Sequence, residues 1–165
     1  MMTQISAPAQ TKDPLTSRDR RIIATIVNES DYPHDCQIED VVTIWINSDD
    51  IVWVKMTHGY ARYHKDLFKA AVAELKETLP ETHLERNERL EAELEQACTK
   101  FGLSHAEIDW LSFSTTVYRD SELVGFVGCN WQGWYSNPRK LGVNRIAQSA
   151  IDAIAFLGVR PALAA

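Results

Sequence analysis

The chain has 165 residues and a formal net charge of -6 at pH 7, and 45% of its residues are hydrophobic. This composition is that of an ordinary globular protein, and it excludes a disordered or fibrous chain. With 23 acidic against 17 basic residues, it also argues against a protein that coats nucleic acid regardless of sequence.

Cysteine usage and the N-terminus bear on the compartment. Cys36, Cys98 and Cys129 are far apart and form no CxxC motif, and such a sparse, odd set is typical of a reducing cytosol. The sequence does not open with a positive charge followed by an apolar run. No apolar stretch approaches the roughly twenty residues of a membrane-spanning helix. We therefore expect a cytoplasmic protein without a membrane partner.

The N-terminal part changes from polar to apolar residues. Residues 1–17 are rich in Ser, Thr, Pro, Gln and Ala and predict a disordered tail. Residues 22–27 are largely β-branched, which predicts the first strand. The next loop holds four side chains of metal-binding types, Asp31, His34, Asp35 and Cys36. Zinc sites usually have a second ligand pair, and none is evident, so we expect no metal and no cofactor.

A β-hairpin is the next predicted element. Two β-rich runs, residues 41–46 and 51–56, flank the turn-forming sequence Asn-Ser-Asp-Asp. We expect Trp45 and Trp53 to be neighbours across this hairpin, where a cross-strand aromatic pair adds to stability.

Two helices follow the hairpin in the prediction. Apolar residues recur at helical spacing from Tyr60 to Leu79, which predicts the first. Thr82 and Glu85 match a capping box, in which each side chain binds a free backbone N–H of the other residue. The second helix is expected to continue to Phe101, with Gly102 as its C-cap.

Residues 102–117 have two interpretations. Gly102 to Ser104, followed by Glu107 and Ile108, resembles the turn and second-helix start of helix-turn-helix DNA-binding proteins of the response-regulator type. The resemblance implies a recognition helix in the residues that follow. Those residues, 112–117, have a β-prone sequence instead.

The other interpretation is a second hairpin, which we favour. Its strands are predicted from about Leu111 to Arg119 and from Glu122 to Asn130. Both faces of the later strand carry large apolar side chains, and Gly125 and Gly128 interrupt them. This pattern predicts a central strand in which other groups pack close to the glycine backbone.

A last helix is predicted from Pro138 to Leu157, with Asn137 as its cap. The element order predicts one α+β domain over residues 18–159, with a mostly antiparallel sheet of about five strands and helices packed on one face. Residues 160–165 are expected to form a flexible tail. Because such a sheet has open edges, we also predict a homodimer.

The candidate functional surface is the aromatic and basic segment between the central strand and the last helix. Its predicted partner-binding residues are Trp131, Trp134, Tyr135, Asn137, Arg139, Lys140 and Arg145. Tryptophan, tyrosine and arginine dominate interface hot spots. Cations beside a helix N-terminus also favour acidic or phosphate-bearing partners.

Three functional classes stay open, because the sequence contains no catalytic motif. We favour a small non-enzymatic intracellular adaptor or regulator that binds another protein. The first alternative is a nucleic-acid-associated regulator that uses residues 131–145 for stacking and phosphate contacts. The second is an enzyme with Cys129 as nucleophile and a histidine as base.

Overall fold

The computed structural model describes residues 14–138 and 143–162. It confirms the α+β class, with four α-helices and two antiparallel sheets in the described residues. The chain divides into two compact units, of which the first ends at Glu81 and the second begins at Thr82. The described residues form two sheets where the sequence pattern predicts a single sheet of about five strands, and the single domain over residues 18–159 stays a prediction. Strand patterns specify which side chains face a core, but they do not specify which strands pair.

The first unit packs two helices against a three-stranded sheet. Its elements are α1 (Ser17–Asn28), β1 (Val41–Ile46), β2 (Ile51–Met56), β3 (Gly59–His64) and α2 (Lys65–Thr78), with a 3-10 turn at Ile38–Asp40. The strands are antiparallel in the order β1-β2-β3. Side chains from both helices and all three strands form one buried cluster.

The predicted hairpin is confirmed with the predicted bounds. Trp45 pairs with Trp53 across β1 and β2. The two rings are stacked, with centroids 6.1 Å apart and planes within 6°.

Two other predictions in this unit are wrong. Residues 22–27 belong to α1 rather than to a strand, because Thr16 and Asp19 form a capping box and the buried residues repeat with helical spacing. The helix predicted from Tyr60 begins only at Lys65, with His64 as its N-cap. The preceding residues continue from a tight turn into β3, which pairs with β2 along its whole length.

The second unit packs two helices on one face of a five-stranded sheet. Its elements are α3 (His83–Phe101), β4 (Ser104–His105), β5 (Ser114–Arg119), β6 (Glu122–Asn130), β7 (Gly133–Pro138), β8 (Arg145–Ala147) and α4 (Ala150–Ala155). The strand order follows the chain order, so β6 is central, as predicted. The capping box of α3 and its left-handed cap at Gly102 are also confirmed.

The hairpin interpretation of residues 102–117 is confirmed, since β5 occupies the place of the recognition helix. The helix predicted from Pro138 is wrong at its start. Pro138 ends β7, where it pairs with Gly125, and among the described residues of this stretch the helix is α4, capped by Ser149. The alternation of buried and less buried residues along β7 explains the strand.

Parts of the predicted tails lie outside the described residues, namely 1–13 and 163–165. Arg160 and Ala162 are held by hydrogen bonds to Arg119 and Lys100, respectively. Among residues 14–138 and 143–162, no helix combines the length and apolar character that a membrane crossing requires.

Candidate functional site

The two tryptophans of the candidate surface have opposite environments. Trp131 lies in the turn between β6 and β7 and is 90% exposed, whereas Trp134 is 4% exposed in the core. The ring of Trp134 meets Phe113 edge to face at 5.8 Å, and its Nε1 donates to Glu93 at 3.1 Å. Trp134 is therefore a core residue, and Trp131 is the ring available to a partner.

The other predicted residues also separate. Tyr135 and Asn137 lie on the opposite side of β7 from Trp134, because side chains alternate along a strand. The guanidinium of Arg145 lies 3.8 Å from the ring centre of Phe156, in a cation–π contact. Arg139 and Lys140 lie outside the described residues.

Trp131 shares one end of the five-stranded sheet with a second exposed turn. Ser114, the first residue of β5, pairs with Gly128 near the end of β6. This pairing places residues 109–112 and 130–132 at the same end, and we call these two turns the end surface. Leu111 is 92% exposed there and Trp110 37%, so large apolar side chains project from both turns.

Both turns of the end surface are held by their own side chains. The Asn130 amide oxygen accepts from the Gln132 N–H at 2.8 Å. A carboxylate oxygen of Asp109 accepts from the Leu111 N–H at 2.9 Å and from the Ser112 N–H at 3.4 Å. These bonds, led by the one from Leu111, lower the pKa of Asp109 below its usual range. The exposed side chains therefore stand on turns with a defined backbone.

Helix α3 supports the end surface from beneath. The amide nitrogen of Asn87 donates to the Trp110 carbonyl at 2.8 Å, and Arg86 donates to the Cys129 carbonyl at 3.4 Å. Asn87 is only 1% exposed, and its Oδ1 has no hydrogen-bond partner among the described residues. Its amide therefore fixes the backbone of the first turn from inside the unit.

Cys129 has the environment of an inert thiol. It is 7% exposed, and burial raises its pKa, although Arg86, with Nη2 at 3.8 Å from the sulfur, acts in the opposite direction. A raised pKa leaves little thiolate at neutral pH, and the thiolate is the nucleophile. This geometry disfavours a catalytic role for Cys129.

The polar loop of the first unit brings several potential ligands together. The rings of His34 and His58 are 5.8 Å apart, and His58 Nε2 is 3.8 Å from a carboxylate oxygen of Asp40. In the part of the chain that the structure describes, no group of three or more His, Cys, Asp or Glu side chains is placed to hold a metal ion.

Trp110 and Leu111 are not among the residues predicted from the sequence, because the strand predicted from about Leu111 hides the turn. Asp109 is the signal that identifies this turn, because an aspartate that binds backbone N–H groups two or three residues later begins a tight turn. Comparisons with protein-family models, curated proteins and solved structures find no match to this chain.

Proposed function

We propose that the chain is a small non-enzymatic adaptor or regulator that binds another protein through the end surface. The observation that carries this proposal is the exposure of Trp131 and Leu111, each about nine-tenths accessible on a turn pinned by its own side-chain hydrogen bonds. Isolated exposed apolar residues are common, but here two turns at the same end of one sheet both present them, and such a concentration favours association.

The size of the tryptophan makes it an adequate anchor. A tryptophan buries about 200 Å², which corresponds to about 5 kcal/mol at about 25 cal/mol per Å². Part of this gain is lost to the ordering of the partners. Because hydrogen bonds already order the two turns, the end surface loses less conformational entropy on binding.

The charge of the end surface favours a protein over a nucleic acid. Asp109 is the one charged residue of its two turns, and neither turn contains lysine or arginine. A nucleic-acid surface needs cations to bind phosphates. The nucleic-acid alternative on residues 131–145 stays a prediction, and it depends on Arg139 and Lys140, which the described residues do not include.

Site-specific photocrosslinking tests the proposal. Trp131 is replaced by the photoreactive residue p-benzoylphenylalanine, and the full chain is irradiated in lysate of the source organism. We expect a discrete protein adduct that survives nuclease treatment. An adduct of twice the chain's mass would identify the partner as a second copy.

The matched control has the photoreactive residue at Glu122, the first residue of β6, whose other end adjoins Trp131. This control should give no such adduct. Adding Leu111→Asp to the photoreactive chain should remove the adduct at position 131. Equal adducts at both positions, or an adduct that nuclease destroys, would refute the proposal. The predicted homodimer and cytoplasmic location stay predictions, and light scattering on the purified chain tests the first.

A further inference from the structure

The three-stranded sheet of the first unit has one face covered by its helices and one face without them. Val52 and Val54 of β2 point into the helical core, together with Phe68 of α2. The opposite face carries two cross-strand rows, which are Trp45–Trp53–Arg62 and Thr43–Lys55–Tyr60. We call these six side chains the sheet face.

Three of the six side chains of the sheet face are aromatic. Trp45 and Trp53 stack at 6.1 Å. Trp45 also reaches across the central strand to Tyr60, with ring centroids 6.1 Å apart and planes at 82°. Tyr60 is 55% exposed, and both tryptophans are half-buried. The three rings are therefore neighbours and are all partly exposed to solvent, and we call them the aromatic platform.

The charged groups of the sheet face are both positive. Lys55 and Arg62 are exposed and each stands beside a ring in its row. Within residues 14–138 and 143–162, neither has an ion-pair or hydrogen-bond partner for its side chain. The sequences of β1, β2 and β3 contain no aspartate or glutamate, in a chain that has 23 acidic residues. The sheet face is thus a cationic area on an acidic protein.

We propose that the sheet face binds a single-stranded nucleic acid, with bases on the aromatic platform and phosphates at Lys55 and Arg62. Aromatic rings bind bases of any sequence through their π-faces, and neighbouring cations follow the phosphate backbone. The two rows are about 7 Å apart, or two residues along a strand, so successive nucleotides have a ring and a cation each. A proline-rich peptide would use the rings but not the cations.

Fluorescence anisotropy with the full chain tests this proposal. The probes are labelled single strands of about 12 nucleotides, as oligo-dT, oligo-rU and a randomised DNA pool, together with a duplex of the same length. We expect saturable binding of single strands that is tighter than binding of the duplex. Raising salt from about 50 to about 200 mM should weaken it about sevenfold if two phosphate contacts are lost.

Two variants locate the binding. Lys55→Glu with Arg62→Glu should weaken single-strand binding at least about tenfold, because two attractive charges become repulsive. Tyr60→Ala should weaken it at least about fivefold through lost stacking. The control is Lys69→Glu with Lys76→Glu on α2, which changes net charge equally on exposed helix residues and should leave binding within about twofold. Circular dichroism confirms that each variant is folded.

The results of these experiments distinguish a single-stranded nucleic acid from other ligands of the sheet face. The proposal would be overturned if both double variants lost the same affinity for single strands, or if the duplex bound as tightly as a single strand. Either result would mean that charge attraction alone, without the aromatic rings, accounts for binding. Absence of saturable binding to any strand would also overturn it, as would binding of vesicles with about 30% anionic lipid but not of strands. Leu111→Asp should not affect strand binding, which makes the result independent of the end surface.

Discussion

At the scale of single residues, Gly128 shows how closely the central strand of the second unit is packed. A Cβ at this position would lie 2.5 Å from the Tyr135 hydroxyl and 2.7 Å from the Phe113 carbonyl oxygen. The tyrosine can move, but the backbone carbonyl cannot. We expect Gly128→Ala to lower the free energy of unfolding by about 1–3 kcal/mol, measured by urea denaturation.

Gly158→Ala is the control for this substitution. Within the part of the chain that the structure describes, no atom beyond the two adjoining residues lies within 4 Å of a Cβ at Gly158, whose φ of +80° is left-handed. The control should cost about 1 kcal/mol, for the backbone conformation alone. If Gly128→Ala were more stable than the control, β6 and its neighbours would have to accommodate the added methyl group without strain.

Cys98 makes stability depend on pH. It is 2% exposed, and burial, with a smaller contribution from Glu95, raises its pKa from 9.0 to about 11. Between these values the unfolded thiol loses its proton while the folded thiol keeps it, so the unfolded state binds fewer protons. Stability therefore falls as pH rises through this window, by on the order of 2 kcal/mol.

Unfolding of the wild type and of Cys98→Ala at about pH 8 and about pH 11 checks this prediction. Lysines and tyrosines titrate in both proteins, so the difference between their pH-dependent losses isolates the thiol. The wild type should lose more stability than the variant. Equal losses would mean that the folded thiol ionises as readily as the unfolded one.

At the scale of elements, the β1–β2 hairpin has a measurable aromatic coupling. Trp45 and Trp53 are directly opposite and stacked. A double-mutant cycle of Trp45→Ala and Trp53→Ala should give a coupling energy of about 0.5–1 kcal/mol. Trp45→Ala combined with Lys76→Ala on α2 should be additive within about 0.5 kcal/mol. A coupling no larger than this control would show that the rings stack without mutual stabilisation.

The elements that sequence predicted correctly are those with local signals at their ends. The hairpin has a four-residue turn between alternating strands, and α3 has a capping box at Thr82 and Gly102 at its end. Helix α1 was mistaken for a strand because Ile22 to Val27 are largely β-branched. Burial of one helical face outweighed that weak β preference. The Thr16–Asp19 capping box is the sequence signal from which α1 could have been predicted.

The candidate surface was predicted only in part. A one-residue error in where a strand begins reverses which of its side chains face the core. The sequence grouped Trp131 with Trp134, three positions apart. The turn between β6 and β7 ends at Gly133, which leaves Trp131 outside and turns Trp134 inward. No pattern in one sequence marks where that turn ends. The pairing of Ser114 with Gly128, which brings Leu111 to the same end, is also a long-range feature.

At the scale of the whole molecule, the two units differ in the chemistry that they expose. The end surface of the second unit has apolar side chains and no cation in its turns. The sheet face of the first unit has aromatic rings, two cations and no acidic residue in its strands. Surfaces of such different charge select different partners. Together the two proposals describe an adaptor that connects a protein with a single-stranded nucleic acid.

This description predicts that the two activities separate when the chain is divided at Glu81 and Thr82. Each unit has its own buried cluster, and domains of about 60–80 residues can fold alone. We expect fragments 1–81 and 82–165 each to unfold cooperatively in urea, with near-ultraviolet circular dichroism from their tryptophans.

Anisotropy and photocrosslinking then assign the partners to the fragments. Fragment 1–81 should bind the single-stranded probe as tightly as the full chain, within about threefold, since Lys55, Arg62 and the three rings are all in it. Fragment 82–165 should keep the crosslink at position 131 and should not bind the single-stranded nucleic acid. A folded first fragment that has lost strand binding would place the nucleic-acid contacts outside the sheet face. Strand binding by the second fragment would return the basic segment around Arg145 to consideration.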